Sequence, residues 1–203
     1  MLTRFHFIGA VLGVAGLFAI DASVENHSVN PHDNVYHIVS GGSESCSATA
    51  VGPQSLLTAE HCIVDASALW VEGKGPVGIA KTVSDGHDHV IVRLNTRFIT
   101  WTHLGPAPRQ GDNVIMYHYP ANLTDMLSKG YMAGVRVKDG KRITLYDMQS
   151  FYGSSGAGIL NSDGQLVAVA SVIARLEGEG AAYQMAGSFD LDFTQAQWDE
   201  AAH

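Results

Sequence analysis

The chain has 203 residues, of which 46% are hydrophobic and 16% charged, so it is long enough for one well-packed domain or for two small barrels that share an interface. Its 12 basic and 20 acidic residues give a net charge of −8, which argues against nucleic acid or an anionic membrane surface as the main partner, because both require a basic face. The high hydrophobic and low charged fractions argue against disorder, and twenty-two glycines with only short apolar runs favour a β-rich fold with many turns.

Residues 1–22 have the pattern of an export signal. Arg4 precedes a nearly continuous apolar run over residues 5–20, and the small residues Ala19 and Ala22 are suitable cleavage positions. The run is short for a membrane-spanning helix, which needs about 20 residues. A retained signal anchor and a core segment of the fold are the alternatives. We therefore expect a secreted or periplasmic protein, attached to a membrane only if this segment is retained.

Residues 23–34 are polar and without periodicity, which predicts a linker, and short β-like segments alternate with turns from residue 35 onward. In the first half the predicted strands are residues 36–40, 47–51, 55–59, 68–72, 77–83 and 89–94. The glycine- and proline-rich residues 105–111 are the best candidate for a connector between a first half over residues 35–104 and a second half over residues 112–191.

The second half continues the same pattern. Its predicted strands are residues 113–119, 131–138, 142–148, 158–161, 165–174 and 181–186. Asp-Gly dipeptides at 139–140 and 163–164 predict hairpins. Residues 165–174 are almost continuously apolar, which predicts one strand buried on both faces. Many strands at this spacing indicate antiparallel barrels or a sandwich.

Only residues 192–203 have a helical pattern. Asp192 with Gln195 three residues later resembles a capping box, and Phe193, Ala196 and Trp198 supply an apolar stripe. We therefore predict a short helix at the C-terminus.

One stretch carries the strongest chemical signal. Gly153-Ser154-Ser155-Gly156 places serines between glycines, where the backbone can turn sharply and direct two N–H groups at one point. Acyl transfer needs such donors for its oxyanion, together with a base that activates the serine hydroxyl. In isolation, the same stretch is also typical of a glycine-rich turn between strands.

A second motif lies upstream of this serine. The run Leu57-Thr58-Ala59-Glu60-His61-Cys62 resembles the Leu-Thr-Ala-Ala-His-Cys signature of trypsin-like serine proteases, with Glu60 in place of an alanine. In that family the final cysteine bonds to one sixteen residues earlier, and Cys46 and Cys62 keep this spacing. The resemblance thus implies a disulfide, which would remove roughly 3 kcal/mol of unfolded-chain entropy. Two unrelated free thiols are the alternative.

Asp88 precedes the alternating segment 89–94 and resembles the acidic residue of the same family. The resemblance implies that Asp88 accepts the Nδ1 proton of His61 and stabilises the imidazolium that forms when Ser155 is deprotonated. Asp85 is a competing carboxylate, but Asp88 directly adjoins the predicted strand. The order His61, Asp88, Ser155 is that of trypsin-like enzymes.

A metal site is the rival interpretation of this acidic stretch. His87 and His89 flank Asp88, and together with Asp85 they offer metal-binding side chains. No matching cluster follows downstream, so we predict no metal ligands. The mechanism that the resemblance implies requires neither a metal nor an organic cofactor.

The resemblance covers about residues 35–191 and implies an all-β fold of two antiparallel six-stranded Greek-key barrels, with the short helix after them. Ser154 stands where trypsin-like zymogens carry an aspartate that pairs with a newly cut N-terminus. Activation by such a cut is therefore not expected. The pattern is closer to the bacterial and viral branches, which include Deg-type and glutamyl-endopeptidase-like proteins.

By resemblance, Ser155 attacks a peptide carbonyl, His61 transfers the proton to the leaving amine, and Asp88 orients His61. The N–H groups of Gly153 and Ser155 would form the oxyanion hole, and water would hydrolyse the acyl-enzyme. The expected partner is therefore a protein or peptide substrate.

The family also suggests where the substrate side chain binds. Gln149 stands where proteases selective for basic residues have an aspartate, so cleavage after Lys or Arg is not expected. Ser171, Val172 and Ile173 would form one wall of the pocket, with Tyr183 across from them. Because Ile173 replaces a glycine, we hypothesise a shallow site for small or medium apolar side chains.

Two other functions are compatible with the sequence. Glu60 and the altered serine motif leave room for an inactive homologue that acts as a binding module. A viral or phage protease that cuts a few defined junctions is a further possibility.

Overall fold

The structure is a computed structural model that describes residues 30–42, 44–178 and 181–203. The predicted export signal in residues 1–22 and most of the predicted linker lie outside these ranges. Within them, no helix combines the length and the apolar character that a membrane crossing requires. Pro31–Asn34 form a 3-10 turn, and the buried Asn34 amide donates a hydrogen bond to the Thr102 hydroxyl.

The first half is a closed barrel of six antiparallel strands in the order β1-β2-β3-β6-β5-β4. The strands are β1 (Val35–Ser40), β2 (Glu44–Gly52), β3 (Ser55–Ala59), β4 (Ala68–Val71), β5 (Gly75–Ser84) and β6 (His89–Leu94). Strand β4 alternates in burial, so that Leu69 and Val71 point inward while Trp70 points outward. The barrel closes where Ile38 of β1 pairs with Val71 of β4.

The second half is a seven-stranded sheet in the order β11-β10-β7-β8-β9-β13-β12. The strands are β7 (Asn113–His118), β8 (Met126–Lys138), β9 (Lys141–Tyr146), β10 (Gly158–Leu160), β11 (Leu166–Val169), β12 (Val172–Gly178) and β13 (Ala181–Phe189). All pairs of neighbouring strands are antiparallel. The all-β class, the barrel and the C-terminal helix are confirmed, with seven strands in the second half where six were expected.

The additional strand arises where a single strand was predicted over residues 165–174. The Ala170 N–H still donates to the Ala157 carbonyl, but the next N–H, that of Ser171, donates to Gly187. The chain therefore leaves β10 and pairs with β13 instead, which divides the segment into β11 and β12. Continuous apolar character conceals this break, although residues 166–170 are largely buried and residues 171–174 are only half-buried, so the expected burial on both faces holds for the first part alone.

Both predicted hairpins are present. At residues 139–140 the φ angles of Asp139 and Gly140 are +52° and +75°, which is the two-residue turn that an Asp-Gly pair favours between β8 and β9. The second Asp-Gly pair lies in the longer turn between β10 and β11, which the Asn161 side chain stabilises by accepting the Asp163 N–H.

The C-terminal helix α1 (Gln195–Ala201) begins later than predicted. Its N-cap is Thr194, whose hydroxyl accepts the Gln197 N–H while the Gln197 side chain accepts the Thr194 N–H. The predicted cap at Asp192 is wrong, because the Asp192 N–H donates instead to the Asp85 carboxylate of the first barrel.

An apolar cluster joins the two halves beneath this helix. It combines Leu57 and Ile91 from the barrel with Leu160 and Leu166 from the second sheet, and Phe193 packs against them. This shared core fixes the position of one half relative to the other, so loops from both halves can lie next to each other beside it.

Candidate active site

The serine loop, residues 151–157, has a backbone that only glycine allows at two positions. The φ angles of Gly153 and Gly156 are +90° and +85°. A Cβ atom at Gly153 would overlap the Tyr119 carbonyl oxygen, and one at Gly156 would overlap the Thr58 hydroxyl. The glycines of the motif are therefore required by both conformation and space.

Peptide-plane geometry sets the direction of two amides in the serine loop. The Tyr152 carbonyl accepts the Ala121 N–H at 2.6 Å, and the Ser154 carbonyl accepts the Ala157 N–H at 3.0 Å. In a trans peptide unit the N–H points opposite to the carbonyl, and no cis bond is present among the described residues. The amides of Gly153 and Ser155 therefore point away from these two backbone donors.

Ser47 of β2 ties the serine loop to the first barrel. Its N–H donates to the Ser155 carbonyl at 2.8 Å, and its hydroxyl donates to the Gly153 carbonyl at 2.8 Å. The same hydroxyl accepts the Tyr119 N–H at 2.9 Å. The loop is thus fixed from the opposite half of the molecule.

His61 and Asp88 are brought together by neighbouring strands of the barrel. β3 pairs with β6 through Ala59 and His89, so the residues that extend these strands adjoin each other. Asp88 has a φ of +68° and accepts two hydrogen bonds from His61, from the backbone N–H at 3.0 Å and from ring Nδ1 at 2.8 Å. This pairing fixes the orientation of the imidazole.

The turn that carries His61, Glu60–Cys62, is held in two further ways. Cys46 and Cys62 form the expected disulfide, which connects the turn to β2. The Glu60 side chain, which replaces the family's alanine, accepts a hydrogen bond from the Ser84 hydroxyl at 2.9 Å. Glu60 is therefore engaged with β5.

A cavity of about 600 Å³ lies where the two halves meet. His61 comes from the barrel, and Gly153 and Ser155 come from the second half, so these three residues line one space. Ser171 and Ile173 form part of its wall, as the sequence predicted for a substrate pocket.

Three other residues that were predicted for the pocket, all within the described part of the chain, do not line this cavity. Val172 points to the opposite face of β12, towards Gly187. The Tyr183 hydroxyl donates to the Asp147 carboxylate, and Gln149 is exposed outside the cavity.

Further lining residues were not predicted. They are Ser45, Ala121, Tyr152 and Arg175, and the disulfide residue Cys46 also contributes. Arg175 could have been found, because Ile173 and Arg175 of β12 alternate in step with Ser171 just before the strand and so share a face. Ser45 and Ala121 come from distant segments and give no local signal.

Asp85 does not act as the partner of His61. Its carboxylate accepts a hydrogen bond from His89 Nδ1 at 2.7 Å, with both side chains fully buried, and His89 Nε2 lies 3.2 Å from the Ser171 hydroxyl. Burial by itself would raise the pKa of Asp85, but hydrogen bonds from the His89 ring and the His87 amide outweigh it, so that pKa is lowered.

The geometry also bears on metal binding. Cys46, His61 and Cys62 lie close enough to form a ligand cluster, but the two sulfurs are bonded to each other and offer no thiolate. Asp85 and His89 are committed to each other. The residues at the cavity are instead an imidazole paired with a carboxylate, and a serine in a loop whose conformation its glycines set.

Comparisons with known proteins agree with this geometry. The profile of the trypsin-like peptidase domain matches residues 46–169, more than half of the chain. No curated protein sequence matches the chain.

Solved structures show the same fold. The Rv3671c protease of M. tuberculosis H37Rv, in its inactive form, is 13% identical with a TM-score of 0.65, covering 85% of this chain and 91% of its own. A Glu endopeptidase in complex with MPD is 15% identical with a TM-score of 0.62, covering 87% and 93%. The serine endoprotease from Yersinia pestis is 16% identical with a TM-score of 0.63, covering 78% and 59%. At such identities the likeness concerns the fold, and it is the profile match that shows the family. The chain belongs to the trypsin-like peptidase domain family.

Proposed function

We propose that this chain is a serine endopeptidase that hydrolyses peptide bonds through Ser155, His61 and Asp88. The observation that carries the proposal is the 2.8 Å hydrogen bond from His61 Nδ1 to Asp88, made on the rim of a cavity that Ser155 also lines. Because the carboxylate holds Nδ1, Nε2 is the ring nitrogen that would exchange the proton with Ser155 in the proposed mechanism.

In the proposed mechanism, the Ser155 hydroxyl adds to the substrate carbonyl while His61 takes its proton. The imidazolium is stabilised by Asp88 and then protonates the leaving amine. The amides of Gly153 and Ser155 meet the oxyanion, each contributing on the order of a hundredfold in rate. Water, deprotonated by His61, releases the acyl group and restores the hydroxyl.

Labelling by a serine-directed fluorophosphonate tests this proposal, combined with hydrolysis of a mixed peptide library. We expect labelling of the protein and none of the Ser155→Ala variant. Ser162→Ala is a matched control, because Ser162 is an exposed serine in the turn after β10 and should leave labelling unchanged. Unlabelled protein that is folded and inactive on every peptide would instead indicate a binding module.

We also propose the selectivity of the cavity. Ile173 forms part of the wall of the cavity that Ser155 also lines, which supports a shallow site for small or medium apolar side chains. Cleavage profiling of the peptide library measures this directly, and a strong preference for Arg or Glu at the cleaved position would contradict it.

The arrangement along the chain is a proposal as well. Residues 1–22 would direct export or anchor the protein, residues 23–34 would link, and residues 35–203 would form the peptidase domain. The Cys46–Cys62 disulfide supports an oxidising compartment. N-terminal sequencing of protein recovered from the producing cells and from their medium would test both cleavage and location.

A further inference from the structure

Ser154, the neighbour of the proposed nucleophile, is fully buried and takes part in two hydrogen bonds. Its hydroxyl oxygen accepts the Phe151 N–H at 3.0 Å and lies 2.6 Å from Nδ1 of His118. His118 ends β7, is 1% exposed, and has its Nε2 atom 3.0 Å from the Ser128 hydroxyl on β8. A buried imidazole therefore bridges the serine loop to the second sheet.

The protons along this bridge can be assigned. Burial lowers the pKa of His118 to about 4, so at neutral pH the ring has one N–H and one accepting nitrogen. Ser154 is shielded from water and its hydroxyl proton needs an acceptor, whereas the partly exposed Ser128 can use solvent. The Ser154 hydroxyl accordingly donates to Nδ1, and Nε2–H donates to Ser128.

This bridge acts on the part of the loop that orients the amides. Ser154 lies between Gly153 and Ser155, and its own N–H donates to the Phe151 carbonyl at 2.9 Å. Its side chain and backbone together close the turn over residues 151–154. Rotation of the peptide unit after Ser154 would turn the Ser155 N–H, and rotation of the unit before Ser154 would break its N–H bond to Phe151 and displace Gly153.

We propose that His118 is a positioning residue, which holds the serine loop in the conformation that directs the Gly153 and Ser155 amides into the cavity. The inference rests on the proposed peptidase function. In this proposal, the uncharged hydrogen bond between His118 and Ser154 keeps the oxyanion site in place. His118 itself touches no substrate.

Four variants separate this role from simple packing. His118→Phe keeps a buried ring without an acceptor, and Ser154→Ala removes the donor. His118→Asn retains an acceptor near the Nδ1 position. Ser128→Ala is the matched control, because it removes only the outer hydrogen bond.

Kinetics on a peptide substrate, scaled to the sites titrated by a fluorophosphonate, give the first readout. We expect His118→Phe and Ser154→Ala to lower kcat about thirtyfold or more with little change in KM, because oxyanion donors act in the transition state. Binding of a peptide aldehyde, whose adduct carries the oxyanion, should weaken by a similar factor. His118→Asn and Ser128→Ala should stay within about fivefold of the parent, and the double variant His118→Phe/Ser154→Ala should be no worse than either single one.

Nuclear magnetic resonance gives a readout that does not require activity. We expect the Nε2–H tautomer of His118 at neutral pH, and altered amide shifts at Gly153 and Ser155 in His118→Phe but not in Ser128→Ala. An Nδ1–H tautomer, or unchanged amides with unchanged kcat per titrated site in a His118→Phe variant that is merely less stable, would overturn the inference. If the parent neither labels nor hydrolyses peptides, the proposed function fails, and the resonance data still decide whether His118 sets the loop.

Discussion

The turn that carries Asp88 and the serine loop come from different halves of the molecule, and different kinds of hydrogen bond hold them. His61 and Asp88 are joined by a charge-assisted bond, with their side chains 47% and 28% exposed. The serine loop is held by Ser47, Ser154 and His118, which are buried and uncharged at neutral pH. In the proposed mechanism, the groups that gain and lose a proton therefore lie near water, whereas the groups that fix the conformation of the serine loop are buried.

Removing the charge of Asp88, in the more exposed of the two regions, should have the largest effect on activity. Asp88→Asn keeps the shape of the side chain but can no longer stabilise the imidazolium. We therefore expect kcat to fall about ten-thousandfold, which is the loss typical of a Ser-His-Asp triad without its carboxylate. The measurement is kcat of the parent and of Asp88→Asn on the library peptide that the parent cleaves fastest.

Asp85→Asn is the matched comparison for this charge effect, because Asp85 pairs with His89 instead of His61. We expect it to cost far less activity and mainly stability. Equal losses of activity in the two variants would show that Asp88 has no special place at the site.

The disulfide tests how much the turn that carries His61 contributes to the stability of the fold. Because Cys46 and Cys62 close a loop with a sequence separation of 16, the double variant Cys46→Ser/Cys62→Ser should lower the free energy of unfolding by roughly 3 kcal/mol. Urea denaturation of both proteins provides the measurement. A loss below about 1 kcal/mol would mean that the turn at Glu60–Cys62 is held by its other contacts.

Lowering the pH should reduce the free energy of unfolding through His118, which lies in the more buried of the two regions. Its folded pKa of about 4 lies below the ordinary 6.5, so the unfolded state binds more protons between these values and stability falls as pH decreases. From pH 6.5 to pH 5 we expect a loss of roughly 1.5 kcal/mol that His118→Asn lacks. The measurement is denaturation of both proteins across this range. His37, whose pKa burial also lowers, is present in both and cancels. Parallel pH profiles of the two proteins would contradict the assignment.

The smallest expected effect concerns the cavity wall. Ile173→Ala should enlarge the space beside Ser155 and raise kcat/KM for a larger apolar side chain about tenfold relative to alanine. Val172→Ala is the control, because Val172 points away from the cavity. Library profiling of both variants tests this, and an equal change in both would place the selectivity elsewhere.

Local patterns in the sequence predicted much of the fold and pointed to the site. The two Asp-Gly hairpins and the first-half strands follow from short local patterns, whereas the disulfide follows from the resemblance to trypsin-like proteases. The roles of His61, Asp88 and Ser155 stay predictions, although His61 and Ser155 line one cavity and Asp88 pairs with His61.

What the sequence did not predict depends on tertiary contacts. His118 bonds to Ser154 across 36 positions, and His89 contacts Ser171 across 82, so no local pattern connects them. The division of residues 165–174 was missed because a change of pairing partner leaves no mark in hydropathy. The cap at Thr194 was missed because Asp192 is equally suitable by type and only its contact with the barrel decides between them.

For the peptidase proposed above, the position of β12 in the sheet bears on which substrates it would cleave. Among the described residues β12 pairs with β13 alone, so its other side presents open N–H and carbonyl groups beside the cavity. A substrate that lies along this side must be extended over several residues, because only an extended backbone can satisfy those groups in turn. If the chain is such a peptidase, it would cleave disordered termini and partly unfolded chains before compact helical proteins, which would first have to unfold locally.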